Sequence, residues 1–238
     1  MVGRLHWSGL AQLVREELGS VDAVIVDAPY DERTHRGHDK GRDDYGQEDR
    51  RRISYPPWTR GDVRDFVSGW SRITKGWMVS ITSDALVCAW RDAYEAEDRV
   101  SFAAVPAIER GATDRKHADG PASWTTWVVV GRPRGSEWIG WGSPRSYYLG
   151  PREPKPVIGG KPLWLMRELV EDYSREGDVV ADPCCGAGTT LLAAQLLGRR
   201  YVGGDLDAAH VALAQERLRS LPAAPRRGTL ALPWPEEP

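Results

Sequence analysis

The chain has 238 residues and is 41% hydrophobic, which allows one substantial core and at most a small appended lobe. A net charge of -2 excludes a global positive field, so a nucleic-acid partner must be met by a local patch. Three cysteines exclude a disulfide framework or a zinc site of usual spacing. The start of the chain shows no basic region followed by an apolar stretch, and no run reaches membrane-spanning length. A reducing cytoplasm is the expected location.

Val21 to Val26 reads V-D-A-V-I-V and predicts a buried strand delivering Asp27-Ala28-Pro29-Tyr30 at its C-terminal end. Residues 31–60 are densely charged and aperiodic, as in a long mobile loop of the kind that is usually functional or disordered. Val63, Phe66, Val67, Trp70 and Ile73 recur at helical spacing, and Trp77 to Ile81 follows as a strand. Ser83 or Asp84 caps a helix running to about Ala96. Strands are expected near Val100 to Val105 and at Thr125 to Val130, with an irregular polar stretch from Gly111 to Ser123.

Residues 131–160 are rich in Gly, Pro, Trp and Tyr and predict a small irregular lobe or loop set. Leu163 to Tyr173 is an amphipathic helix with Pro162 at its first turn. Then come strand Val179 to Ala181, a glycine turn, helix Thr189 to Leu197, strand Tyr201 to Gly203 and helix Ala208 to Leu218. Such alternation belongs to an α/β fold, a parallel sheet with helices on both faces. The tail from Leu221 is proline-rich and expected to be extended.

The strongest local signal is Asp182-Pro183-Cys184-Cys185-Gly186-Ala187-Gly188-Thr189-Thr190, between a strand and a helix. Gly186 and Gly188 let the backbone approach a ligand, and the helix N-terminus offers free N–H groups to a carboxylate or phosphate. Asp205 follows about 20 residues on, at the tip of the next strand, where an acid accepts from ribose hydroxyls. Leu191 stands where a dinucleotide fingerprint needs its third glycine, and no Gly-Lys-Ser/Thr follows, so a dinucleotide and a P-loop are disfavoured. The competing reading is a strand–turn–helix that needs glycine for packing alone.

Asp27-Ala28-Pro29-Tyr30 suits methylation of an aromatic amine, whose lone pair is delocalised into the ring. Asp27 and the carbonyl of Ala28 can accept from the two N–H groups, and Pro29 holds the turn. Tyr30 offers a stacking face for a base removed from its duplex. Positioning suffices for an in-line displacement, and no metal is required. By itself such a tetrapeptide is equally an ordinary strand end and turn.

Together the two motifs resemble the DNA amino-methyltransferases, with their (Asp/Asn/Ser)-Pro-Pro-(Tyr/Phe/Trp) and Asp-Pro-Phe-x-Gly-x-Gly-Thr-Thr signatures. The catalytic tetrapeptide comes first here and the cofactor loop last, the permuted order of the family's beta group. Gly160-Lys161-Pro162-Leu163 is similar to the Lys-Pro helix start of that group. The resemblance runs from about Val21 to Leu218 and implies a Rossmann-like methyltransferase sheet. It implies S-adenosylmethionine as cofactor, held by Asp182, Pro183, Cys184, Gly186, Gly188, Thr189, Thr190 and Asp205 and bordered by Lys161 and Leu163. Asp182 would lie near the methionine amino group and Asp205 at the ribose. The catalytic set would be Asp27, Ala28, Pro29 and Tyr30, acting on DNA with a flipped target base. Ala28 replaces the first proline and Cys184 the usual Phe, which loosens the turn and alters the loop packing. Asp27, where cytosine-N4 enzymes more often carry Ser, favours adenine N6.

The implied organisation is one permuted domain over 1–220, with a catalytic half about 1–105, a recognition segment about 106–160, a cofactor half about 161–220, and a tail 221–238. Between Arg110 and Lys155 eight basic residues face four acidic ones. Arg132, Arg134, Arg145 and Arg152, interleaved with Trp138, Trp141, Tyr147 and Tyr148, are candidate DNA contacts, as are Arg50 and Arg51 in the charged loop. The aromatics are equally expected as core. So short a recognition segment implies a short target, weak selectivity, or a homodimer sharing the work. Alternatives are an RNA or protein-amide methyltransferase, disfavoured by the motif order and by Asp27, and a non-catalytic module of the same fold.

Overall fold

The computed structural model describes residues 2–39, 55–111, 121, 125–135, 138, 140–157 and 159–221. In chain order these form β1 (Val2–Arg4), α1 (Trp7–Glu17), β2 (Ala23–Asp27), α2 (Glu32–Asp39), α3 (Arg60–Ser71) and β3 (Met78–Thr82). A short 3₁₀ turn (Asp84–Leu86) leads into α4 (Val87–Ala96), β4 (Arg99–Ser101), β5 (Val105–Arg110), β6 (Thr126–Pro133) and β7 (Tyr148–Pro151). The chain continues with α5 (Leu163–Tyr173), β8 (Val179–Asp182), α6 (Thr189–Leu196), β9 (Arg200–Asp205) and α7 (Ala208–Ser220).

One sheet runs in the order β1-β9-β8-β2-β3-β6-β5-β7, with β4 pairing β6. Strands β1, β9, β8, β2 and β3 are mutually parallel, β6 is antiparallel, and β5 and β7 again run with β3. The expected Rossmann-like α/β sheet is therefore present. Asp27, Asp182 and Asp205 close three of the parallel strands, so they emerge on one edge of the sheet.

Both faces of the sheet are covered, which is why β2 is apolar throughout rather than alternating. Val24 and Val26 pack with Leu10, Val63, Phe66, Trp70 and Trp90 of α1, α3 and α4. Ile25 points the other way, with Val79, Ile81, Leu165, Leu169 and Ala193, toward α5 and α6. A third cluster joins Val2, Leu191, Val211 and Ala214 under α7. Among the described residues no helix is long and apolar enough to cross a membrane.

Several elements differ from expectation. Residues 31–60 are not all loop: α2 begins there, initiated by the Asp31 carboxylate accepting the Arg33 and Thr34 N–H groups at 2.8 and 3.2 Å. This cap needs no apolar periodicity, so hydrophobic spacing did not reveal it. The strand expected at Val100 to Val105 is two strands, β4 and β5, both paired to β6. The end of β6 and the whole of β7 place two short pieces of the expected lobe in the main sheet. Trp138 and Trp141 pack on Trp77, as does Tyr173, making them part of this domain's core rather than of a separate one. The proline-rich tail beyond Leu221 lies outside the described residues.

Candidate active site

A cleft opens at the edge where β2, β8 and β9 end, bringing the two sequence motifs together. Asp27, Pro29, Lys161, Asp182, Pro183, Cys184, Gly186, Thr189, Thr190 and Asp205 all line it. The cleft also takes residues that sequence reading missed: Leu5, His6 and Trp7 from the β1–α1 turn, Tyr55, Pro56 and Trp58, and Leu206 and His210 near α7. Two signals pointed to them. Leu10, Leu13 and Val14 have helical spacing near the start of the chain, and Thr59 with Asp62 forms a capping box that opens α3 beside Trp58.

The cofactor-type loop is held by its own backbone. Gly186 and Gly188 adopt φ of 49° and 76°, the left-handed region. A Cβ on Gly188 would lie 2.8 Å from the Ala214 Cβ, so glycine is required there for α7 to pack as well as for the turn. Gly203 is glycine for packing alone, since a Cβ would meet Leu191 at 2.5 Å. Asp205 ties the loop down: Oδ2 accepts from Gly186 N at 2.8 Å and Oδ1 from Asp207 N at 2.9 Å. Its carboxylate is thus first a loop clamp, with lone pairs remaining for a ligand hydroxyl. Thr189 Oγ1 accepts from Arg217 at 3.2 Å, a partner on α7 that sequence reading did not single out.

Asp182 is buried and accepts from Cys184 N at 3.1 Å. Burial, reinforced by the nearby carboxylates of Asp27 and Asp205 and opposed by its hydrogen bonds from Thr190 and Cys184, pushes its carboxyl up to about 7. The Cys184 and Cys185 thiols are pushed well up by burial, so both are neutral and neither is an activated nucleophile.

On the catalytic side, Ala28 is buried in the apolar cluster beneath the turn, and Trp58 N donates to Tyr30 O at 3.0 Å. Asp31 bonds Ser83 Oγ at 2.6 Å, fastening the segment after the tetrapeptide to the end of β3. Lys161 Nζ donates to Asp27 Oδ2 at 2.7 Å and to Gly159 O at 3.0 Å, and lies 5.0 Å from the Tyr30 ring centroid. Burial pushes the Asp27 carboxyl upward while Lys161 pulls it back. Asp27 Oδ1 is buried without a hydrogen-bond partner.

Other expected site residues fall elsewhere. Leu163 packs against two apolar clusters instead of lining the cleft, and its N–H is capped by Glu153 Oε2 at 2.7 Å. Arg132 and Arg134 lie on the opposite edge of the sheet, because antiparallel β6 ends beside the start of β3, where Gly131 pairs with Met78. There Arg132 packs over Phe102 and Trp138, and Arg134 pairs with Asp98 at 2.7 Å. Arg145 is held by Glu171 and Asp172 in the last turn of α5, again away from the cleft. The direction of β6 sets the edge for Arg132 and Arg134, and the direction of α5 sets it for Arg145. Arg152 is exposed next to Pro151, which pairs with Arg110 at the cleft-side end of β5. Arg50 and Arg51 lie outside the described residues.

Strand order, glycine loop and cleft define a Rossmann-like α/β fold with a ligand-sized cleft at one sheet edge. The chain is similar over its length to M1.HpyAVI, solved as a SAM complex, with 17% identity, a TM-score of 0.69, and 92% of this chain and 98% of that one covered. The PvuII DNA methyltransferase (cytosine-N4-specific) shares the fold at 11% identity and a TM-score of 0.57, over 83% of this chain and 79% of that one. Residues 133–216 match the N6_N4_Mtase family model, described as DNA methylase. The type II methyltransferase M2.DpnII of Streptococcus pneumoniae is 37% identical over 60 residues, 25% of this chain and 22% of that protein. The putative methylase YubD of Escherichia coli (strain K12) is 32% identical over 96 residues, 35% of this chain and 42% of that protein. The aligned segment thus spans well under half of these relatives. The family match covers the part of the chain that carries the glycine loop, and the fold likeness covers nearly the whole of it.

Proposed function

We propose that this protein transfers a methyl group from S-adenosylmethionine to the exocyclic amino group of a base in DNA, adenine N6 in preference to cytosine N4. The observation that carries this reading is the convergence of Asp27, at the end of β2, with Asp182 and Asp205 in one cleft. Lys161 is the one Lys or Arg among the described cleft residues, set against three carboxylates. A ligand bearing a sulfonium and an ammonium supplies the positive charge such a lining favours. The left-handed glycines, the loop clamp at Asp205 and the buried carboxyl of Asp182 fit that ligand. When bound, S-adenosylmethionine supplies an electrophilic methyl group.

Asp182 receives the ammonium, and Asp205 offers its remaining lone pairs to a ribose hydroxyl. Asp27 and the Ala28 carbonyl accept from the two N–H groups of the target amine, favouring a nitrogen whose lone pair points at the methyl group. Tyr30 stacks on a base turned out of its duplex. Methyl transfer leaves a neutral thioether behind, and the proton that the methylated amine must shed passes to Asp27 and from there to solvent. Arg152 on the cleft-side edge contacts a phosphate.

The test is incubation with unmethylated duplex DNA and S-adenosylmethionine, followed by digestion and mass spectrometry of nucleosides. N6-methyladenine is expected, and Asp27→Ala should lower its yield by at least about 100-fold. N4-methylcytosine would reassign the base. Cofactor binding without any methylated deoxynucleoside would overturn the DNA assignment, and a parallel incubation with RNA tests the principal alternative.

A further inference from the structure

The pair between Lys161 and Asp27 joins residues 134 positions apart, one at the end of β2 and the other just before α5. The Lys161 side chain is 12% exposed and that of Asp27 23%, so the pair sits in the cleft wall rather than on open surface. Two of the three ammonium donors are committed, one to Asp27 Oδ2 and one to Gly159 O. Pro162, the next residue, is the N-cap of α5, which anchors the lysine backbone to a packed helix. Asp27 Oδ2 therefore has a fixed donor, whereas Oδ1 has none.

We propose that Lys161 is a positioning residue for methyl transfer, holding the Asp27 carboxylate as an oriented acceptor for the target amine instead of gripping the cofactor. The inference rests on the methyltransferase reading above. Its physical basis is the character of the acceptor. A protonated Asp27 is a weaker acceptor than the carboxylate, and with the proton on Oδ1 it presents an O–H to the amine's N–H groups, two donors that cannot satisfy each other. Burial favours that protonated form. Lys161 opposes it most strongly, with Lys155 a second favourable charge and the Tyr30 phenol close by. Asp182, Tyr55 and Cys184 also sense the Asp27 charge, and of these Asp182 is the one that adds negative charge near neutral pH. Lys155 is itself paired with Glu109, so it does not replace Lys161.

The experiment compares wild type, Lys161→Met and Lys161→Arg in cofactor affinity, single-turnover methylation of duplex DNA across pH, and an NMR titration of the Asp27 carboxyl. In Lys161→Met the cofactor Kd should change by less than about threefold, while the single-turnover rate falls by about 100-fold. The acid limb of the rate and the carboxyl titration should both move to higher pH, because the lost cation leaves burial unopposed. Lys161→Arg should restore part of the rate and return the acid limb toward its wild-type position, which also separates a charge effect from misfolding. A Kd that weakens as much as the rate, or an acid limb and a carboxyl titration that stay where they were, would overturn the proposal while leaving the methyltransferase reading intact. A wild type that binds cofactor but methylates no DNA would overturn both.

Discussion

Asp182 makes the sharpest quantitative prediction. It is buried, and its carboxyl is raised to about 7 from an ordinary value of 3.8, burial being the largest cause. A raised carboxyl contributes stability that is complete below the unfolded value and is lost as pH rises through the folded one. Without ligand, that loss is on the order of 4 kcal/mol between pH 4 and the plateau above 7. A cationic ligand reverses the preference, since it pairs with the ionised form. Affinity for S-adenosylmethionine should therefore follow the ionised fraction and rise on the order of tenfold from pH 5.5 to 7. The window stops there because an α-amino group itself loses its proton near pH 8.

The assay is calorimetric titration at several pH values in buffers of different ionisation enthalpy, which also counts the proton released on binding. Asp182→Asn should bind about 10- to 100-fold more weakly at pH 7, having lost a charge-assisted bond, and should lose most of the pH dependence. The ligand-free variant should gain stability relative to wild type as pH rises. A wild-type affinity that is flat from pH 5.5 to 7, or a variant with the same slope, would refute both the buried-carboxyl account and the placement of the ammonium.

Two further predictions concern other parts of the molecule. Arg99 is buried with its guanidinium donating to Ser71 Oγ and to the carbonyls of Ser71, Thr74 and Gly76 at 2.6–3.1 Å. Arg99→Met leaves those acceptors unpaired and should cost about 3–5 kcal/mol in urea unfolding; a loss below about 1 kcal/mol would show that water replaces the guanidinium. Arg152→Ala should weaken duplex binding and reduce the slope of log affinity against log salt by about 1, whereas Arg134→Ala and Arg145→Ala should leave both unchanged. Equal effects from all three would contradict the assignment of sheet edges.

Much of the chemistry was legible in the chain because it is local. A strand that must be buried on both faces reads as V-D-A-V-I-V, and a loop that must take φ of 49° and 76° needs glycine at 186 and 188. The order of the two motifs pointed to the permuted domain, since strands that end on one edge bring distant motifs into one cleft.

What only the tertiary structure decided is direction and partnership. Antiparallel β6 carries Arg132 and Arg134 to the far edge, although Arg152 twenty positions later stands on the near one. Lys161 stands one helix and one strand ahead of the glycine loop yet bonds Asp27, and Asp205 closes that loop before it meets any ligand. Linear spacing contains no record of which way a neighbouring strand runs or which buried charge lies across a cleft. Those are settled when the sheet assembles and each buried polar group must find a donor or acceptor.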